Sequence, residues 1–145
     1  MKRRIIRFLA IILVFSLCFG SFSTVASAET TSSAYILMTG ASITPGSSAG
    51  KISVNYTITG MGMMDTIGVL CIEVYRVNGM LFSTIYGSTS NGLLVNSSHV
   101  HAGSYEVSCI PGHSFYCEVT LIAAKNGGGD TRTLKTKTII APTSP

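Results

Sequence analysis

Two segments of this chain alternate with a period of two residues, and that spacing constrains the fold more than anything else in the sequence. In Lys51–Thr59, the residues Ile52, Val54, Tyr56 and Ile58 are separated by Ser53, Asn55 and Thr57. From Phe115 to Lys125, Phe115, Cys117, Val119 and Leu121 fall to one side, with Tyr116, Glu118 and Thr120 on the other. Successive side chains of a strand point to opposite faces, so this pattern describes half-buried strands and would scatter around a helix axis. Looser β-type segments cover residues 35–44, 67–77, 80–86, 104–110 and 131–140. Turn-forming stretches separate them: Pro45 to Ser48, Gly60 to Asp65, Gly87 to Asn91, Pro111-Gly112 and Gly127 to Asp130. Asn78-Gly79 tolerates positive φ at both centres of a two-residue turn and predicts a hairpin. Residues 92–101 stay ambiguous, with Leu93-Leu94-Val95 as a short edge strand. Lys135 and Lys137 share a face of the last segment, which suits a solvated sheet or a guarded edge. No helix-period segment competes, and about seven short strands predict an all-β, antiparallel sandwich.

The N-terminus is a segment of another kind. Lys2, Arg3, Arg4 and Arg7 precede an apolar run from Phe8 to Phe19, and Ala26-Ser27-Ala28 offers small residues at both specificity positions of a signal peptidase. These parts make a secretory signal peptide over residues 1–28, cut after Ala28. The run is short of the roughly 20 apolar residues that a spanning helix needs. Cys18 lacks the small preceding residue of a lipoprotein site, since Leu17 stands there. One secreted domain, residues 29–145, is expected to remain.

Removal of the signal changes the charge. Of ten Lys and Arg residues, Lys51, Arg76, Lys125, Arg132, Lys135 and Lys137 stay, balanced by Glu29, Asp65, Glu73, Glu106, Glu118 and Asp130. The basic character belongs to the signal, so nucleic-acid and anionic-membrane partners lose their main support. The mature chain is read as soluble and extracellular, with no membrane span.

Chemistry-bearing residues are sparse. Cys71, Cys109 and Cys117 remain, an odd number. A Cys109–Cys117 bridge across the 111–114 turn, three reduced thiols, and pairing through Cys71 all stay open. The phase of Leu70, Ile72 and Val74 sets them inward and Cys71 outward. His99 and His101 would share a face of an extended strand and could chelate zinc or copper, but two solvated loop histidines is the plainer reading. Glu73 and Glu118 face outward on neighbouring strands. They read as charges that keep a sheet face wet rather than as an acid–base pair. No nucleophile elbow, Walker loop or zincin pattern occurs, and the Gly-rich stretch at Gly127 precedes no helix. No catalytic, cofactor or metal residue is assigned. Tyr75 and Tyr116, outward beside the two glutamates, form the candidate binding surface. Met61, Met63 and Met64 either plug one end of the core or form an exposed tip.

Pro111 to Val119 resembles the loop and sixth strand of fibronectin type III and immunoglobulin-like domains. Phe115 stands where those families place a corner tyrosine, and Cys117 where immunoglobulin domains place their second disulfide cysteine. Phe115 has no hydroxyl, residues 51–59 hold no cysteine, and the chain has no tryptophan, so it departs from true immunoglobulin domains. The order of the Lys51 strand, the Asn-Gly hairpin, the Gly103-Ser104-Tyr105 strand and a Thr-rich last strand resembles small secreted β-sandwich proteins of Gram-positive bacteria with no assigned function. The immunoglobulin-like resemblance implies a non-enzymatic module that binds an extracellular protein or cell-wall component, while the resemblance to the secreted proteins supplies context and no activity. The alternative is a bacteriocin-like or toxin-like effector, for which the methionine segment would supply the apolar patch.

Overall fold

The computed structural model describes residues 33–144. The expected signal peptide, with Ala26 and Ala28 at its cleavage site, lies outside the described residues. Seven strands follow in order: β1 Ile36–Pro45, β2 Lys51–Arg76, β3 Leu81–Tyr86, β4 Leu94–Ser108, β5 Ser114–Lys125, β6 Gly128–Lys135 and β7 Ile139–Ile140. Every pairing is antiparallel.

The 26-residue β2 is the spine. Its first half lies between β1 and the C-terminal part of β4. Its second half pairs with β5 on one side, and with the start of β4 and then β3 on the other. The outer edge of β5 carries β6 and β7. The curled sheet thus has two leaves, β1–β2–β4 and β3–β2–β5–β6. Ile52, Val54 and Ile58 from one leaf and Ile72, Val74, Val119 and Leu121 from the other lie fully buried in a single core. Phe115 is also fully buried, its ring tilted against Phe82 at 5.1 Å between centroids.

Gly60 to Asp65 is not the expected loop, because β2 runs through it. The pairing with β4 skips from Thr59 to Met64, and this irregularity bends the strand from one leaf into the other. It also divides the methionines: Met64 is buried at 3% exposure, while Met61 and Met63 stand out at 58% and 56%. Gly60 is needed there, since a Cβ would press on the Met64 side chain.

Leu70 does not point inward with Ile72 and Val74 as its spacing predicts; it is 39% exposed. Opposite β5 the register jumps from Val69–Leu121 to Cys71–Thr120. Leu70 is the extra residue of a β-bulge, which shifts the alternation by one position. Ile67 and Val69 are therefore buried before it, and Ile72 and Val74 after it.

The turns also differ from expectation. At Asn78-Gly79 only Gly79 has positive φ, Gly79 N–H donates to Arg76 C=O at 2.8 Å, and Arg76 N–H donates to Met80 C=O at 2.9 Å. This is a turn closed by a glycine bulge. The two-residue turn with positive φ at both centres is instead Asn126-Gly127, at 53° and 77°, joining Lys125 directly to Gly128. Residues 92–101 resolve into β4, apart from its entrance. The segment 131–140 breaks at Thr136, whose buried Oγ1 accepts the Cys117 N–H at 2.9 Å and separates β6 from β7.

The edges of the two leaves are latched by Asp130 on β6. Its Oδ2 accepts from Ser33 Oγ at 2.6 Å and from Tyr35 N–H at 3.1 Å. The Ser33 hydroxyl bond and the Tyr35 amide bond hold the carboxyl below its ordinary range. A folded pKa below the unfolded one stabilises above the ordinary range and loses that effect as acid titrates the folded group. Acidification below the usual carboxylate range should therefore lower the protection factor of Tyr35 N–H against deuterium exchange, relative to the intrinsic rate at the same pH, and Asp130→Asn should lower it already at pH 7. Gly68 has a φ of +146°, and a Cβ there would collide with the Leu93 carbonyl. Gly68→Ala should lower unfolding free energy by about 3 kcal/mol, read from urea denaturation.

Candidate functional site

The β2–β5 register sets Tyr75 opposite Tyr116 and Glu73 opposite Glu118. Ile72, Val74, Cys117 and Val119 turn into the core, so the intervening residues share the outer face of the second leaf. The two tyrosine rings stack at 5.3 Å between centroids with 10° between planes. Lys135 of β6 reaches over the Tyr116 ring, its Nζ 4.1 Å from the centroid. Tyr75 donates its hydroxyl to Glu73 Oε2 at 3.2 Å. A short ladder, Thr120 Oγ1 to Thr133 Oγ1 at 2.9 Å, continues the polar face.

The electrostatics of this face are unusual for a sheet. Like charges directly opposite one another destabilise a strand pair by a fraction of a kcal/mol to about 1 kcal/mol. Among the described residues, the ion pair within 4 Å is Lys51–Glu106 at 3.3 Å, remote from Glu73 and Glu118. Lys135 pairs in register with Glu118, yet its ammonium is held by the Tyr116 ring. The face therefore joins a flat aromatic platform to two opposed carboxylates that make no ion pair within 4 Å. Partial desolvation raises the Tyr75 pKa above its ordinary value, and the Glu73 charge, the Glu73 hydrogen bond and the Glu118 charge add to the rise. Such a face can stack a flat or apolar group and hold a positive charge beside it.

The histidines take separate roles. His101 Nε2 lies 2.8 Å from the Gly92 carbonyl, and its ring tilts against Tyr56 at 5.3 Å. The Tyr56 hydroxyl sits 3.3 Å from the same nitrogen. His99 and His113 are exposed. Among the described residues no three His, Cys, Asp or Glu side chains gather as a metal site. No helix there is long and apolar enough to cross a membrane.

Cys71, Cys109 and Cys117 are free thiols, so the Cys109–Cys117 bridge is not formed. Cys117 is fixed inward in the middle of the second leaf, opposite Val74. Cys109 lies beyond the end of β4, tied by its N–H to the Gly50 carbonyl at 2.6 Å. Burial pushes the Cys109 thiol up to about 11 and the Cys117 thiol up to about 12, the neighbouring Cys109 adding to the latter. Both are protonated and poorly nucleophilic at neutral pH.

Two shallow depressions mark the surface, one on the first leaf and one at the far end of the outer face that carries the tyrosines. One is lined by Gly40, Ala41, Ser42, Asn55, Tyr56 and Thr57, the other by residues around Asp65 and the turn Gly127 to Gly129. Sequence reasoning missed Lys135 as part of the tyrosine face. Its position in the Thr-rich strand after the Asn126-Gly127 turn would have located it, once the hairpin register was counted from that turn.

No protein-family model, no curated protein and no solved structure matches this chain.

Two outcomes test this geometry. Glu73→Gln should lower the ionisation midpoint of Tyr75, read by ultraviolet titration of phenolate against a Tyr75→Phe reference. Iodoacetamide at pH 7.5 should label Cys71 ahead of Cys109 and Cys117, and unfolding without reductant should expose three reactive thiols, counted by mass.

Proposed function

We propose that this chain is a secreted, non-enzymatic immunoglobulin-like β-sandwich module that binds an extracellular protein or a cell-wall component through the Tyr75–Tyr116 face. The carrying observation is the stacked tyrosine pair lying beside two directly opposed carboxylates that make no ion pair within 4 Å. A surface that keeps this repulsion gains when a partner brings a positive charge. The group it contacts is therefore cationic and adjoins a flat or apolar surface. The strand order of the two leaves, β1–β2–β4 and β3–β2–β5–β6, corresponds to the two sheets of a fibronectin type III sandwich, with its second and third strands fused into β2. This supports the immunoglobulin-like reading. Secretion rests on the residue pattern of 1–28, and the resemblance to small Gram-positive secreted proteins agrees with it.

The testing experiment is sedimentation of labelled mature protein with washed cells and isolated walls of Gram-positive bacteria. Saturable pelleting is expected. Tyr75→Ala with Tyr116→Ala should weaken it at least about tenfold, the loss of one or more aromatic hot spots. Glu73→Gln with Glu118→Gln should weaken it and remove its salt sensitivity. Pelleting that is equal for all variants, or absent with every cell, contradicts the proposal.

One observation favours the effector as a second reading. Leu37 and Met38 at the start of β1 adjoin Met61 and Met63 at the bend of β2, where Met61 N–H donates to the Tyr35 carbonyl at 2.8 Å, and all four side chains are exposed. This apolar patch would contact a lipid surface. Leakage of dye from vesicles that Met61→Ser with Met63→Ser abolishes would favour it over the tyrosine face.

A further inference from the structure

We propose that two copies of this chain associate through β4, joining their β1–β2–β4 leaves into one continuous antiparallel sheet. The inference does not rest on the binding reading above. Among the described residues β4 touches no strand except β2, so no strand covers its other edge; at its start Leu94 N–H donates to Ser88 C=O at 3.2 Å. The direction of its backbone groups follows from two contacts. Val100 turns both N–H and C=O away from β2, where Ser98 Oγ accepts one at 3.3 Å and donates to the other at 2.7 Å. Cys109 N–H turns toward β2 and reaches Gly50 C=O at 2.6 Å. Backbone groups alternate sides along an antiparallel strand, so those of Ala102, Ser104, Glu106 and Ser108 face outward. Val100 is capped by Ser98; from Ala102 onward nothing in the described residues occupies them. A row of open peptide groups recognises another extended strand.

The second copy is the occupant for three reasons. First, no charged residue or proline occurs from Leu94 to Tyr105, so the edge lacks the usual guards against pairing with itself. Second, the one charge further along is withdrawn. Glu106 Oε1 accepts Ser47 N–H at 2.7 Å, and Oε2 accepts from Ser47 Oγ at 3.0 Å and Lys51 Nζ at 3.3 Å. Third, the strand is compatible with a two-fold axis through Ser104. That axis sets Ser104 against itself and Glu106 against Ala102 of the second copy, so no like charges oppose. The exposed small side chains of Ala102 and Ser104 pass without obstruction. About six backbone hydrogen bonds then close between copies. The folded residues carry six Lys or Arg and five Asp or Glu, so long-range repulsion between copies is weak. The register break between Val100 and Ser98, followed by Ser97 at a φ of 51°, ends the pairing on one side.

Sedimentation-velocity measurement of the mature protein across a concentration series tests this. Wild type should shift from monomer to dimer as concentration rises. Ala102→Pro removes an outward N–H and spares the ladder to β2, and it should weaken the dimer at least about tenfold. Ser104→Lys, which leaves the backbone intact, should do the same through the like charges it sets face to face. In wild type, amide exchange at Ala102 and Ser104 should slow on concentration, while exchange at Arg132, on β6, stays constant. A monomer at every concentration up to about 1 mM, the scale of the weakest specific contacts, overturns the proposal. A dimer unmoved by both variants, or one without protection at Ala102 and Ser104, overturns it as well.

Discussion

The structure depends on one strand that serves both leaves. β2 pairs with β1, β3, β4 and β5, and only β6 and β7 attach elsewhere. A strand of 26 residues cannot stay straight and still cover a core on the same side throughout. It bends at the Thr59–Met64 irregularity and shifts phase at Leu70. Between these points Ile67 and Val69 enter the core out of step with Ile58 before them and Ile72 after them. Without the Leu70 bulge, Ile72 and Val74 would turn to solvent, and Glu73 and Tyr75 would be driven inward. Burying an unpaired carboxylate costs several kcal/mol, against about 2 kcal/mol for exposing one aliphatic side chain, so the competing register is strongly disfavoured.

The same register makes the outer face of the second leaf. Stacking and the Lys135 cation–π contact each contribute on the order of 1 kcal/mol, enough to offset the repulsion between Glu73 and Glu118. The face is therefore stable without a partner, yet its carboxylates make no close ion pair. Folding tolerates this arrangement, and binding is what it would serve. The buried thiols carry no such tension. Cys117 behaves as a small core hydrophobe beside Val74 and Val119, and its high pKa follows from that position.

Much of this was legible in the residues. Alternation located one strand in each leaf, residues 51–59 in the first and 115–125 in the second, and the opposed phases of Ile72–Val74 and Glu73–Tyr75 gave the facing of the tyrosines. What escaped depends on events between strands. Leu70 looks like a core residue because a bulge is defined by the partner strand, and β5 is some fifty residues away in sequence. The continuity of β2 through Gly60 to Asp65 escaped because two glycines and an aspartate read as a loop, although Met61 N–H still bonds Tyr35 C=O and pairing with β4 resumes at Met64. The two Asn-Gly turns have the same dipeptide and different geometries, since the first lies in a three-residue loop closed between Arg76 and Met80 and the second in a two-residue loop closed between Lys125 and Gly128. Lys135 joined the site only through the register of β6.

The most direct test of the account is a tyrosine footprint of the protein bound to bacterial walls. Mild iodination of free and wall-bound protein, followed by peptide mass mapping, reads each ring separately. The account predicts that Tyr75 and Tyr116 become protected on binding, while Tyr35, at the Gly128 end of the sheet, is labelled to the same extent in both. Bound protein in which Tyr75 and Tyr116 react as in the free state would contradict it.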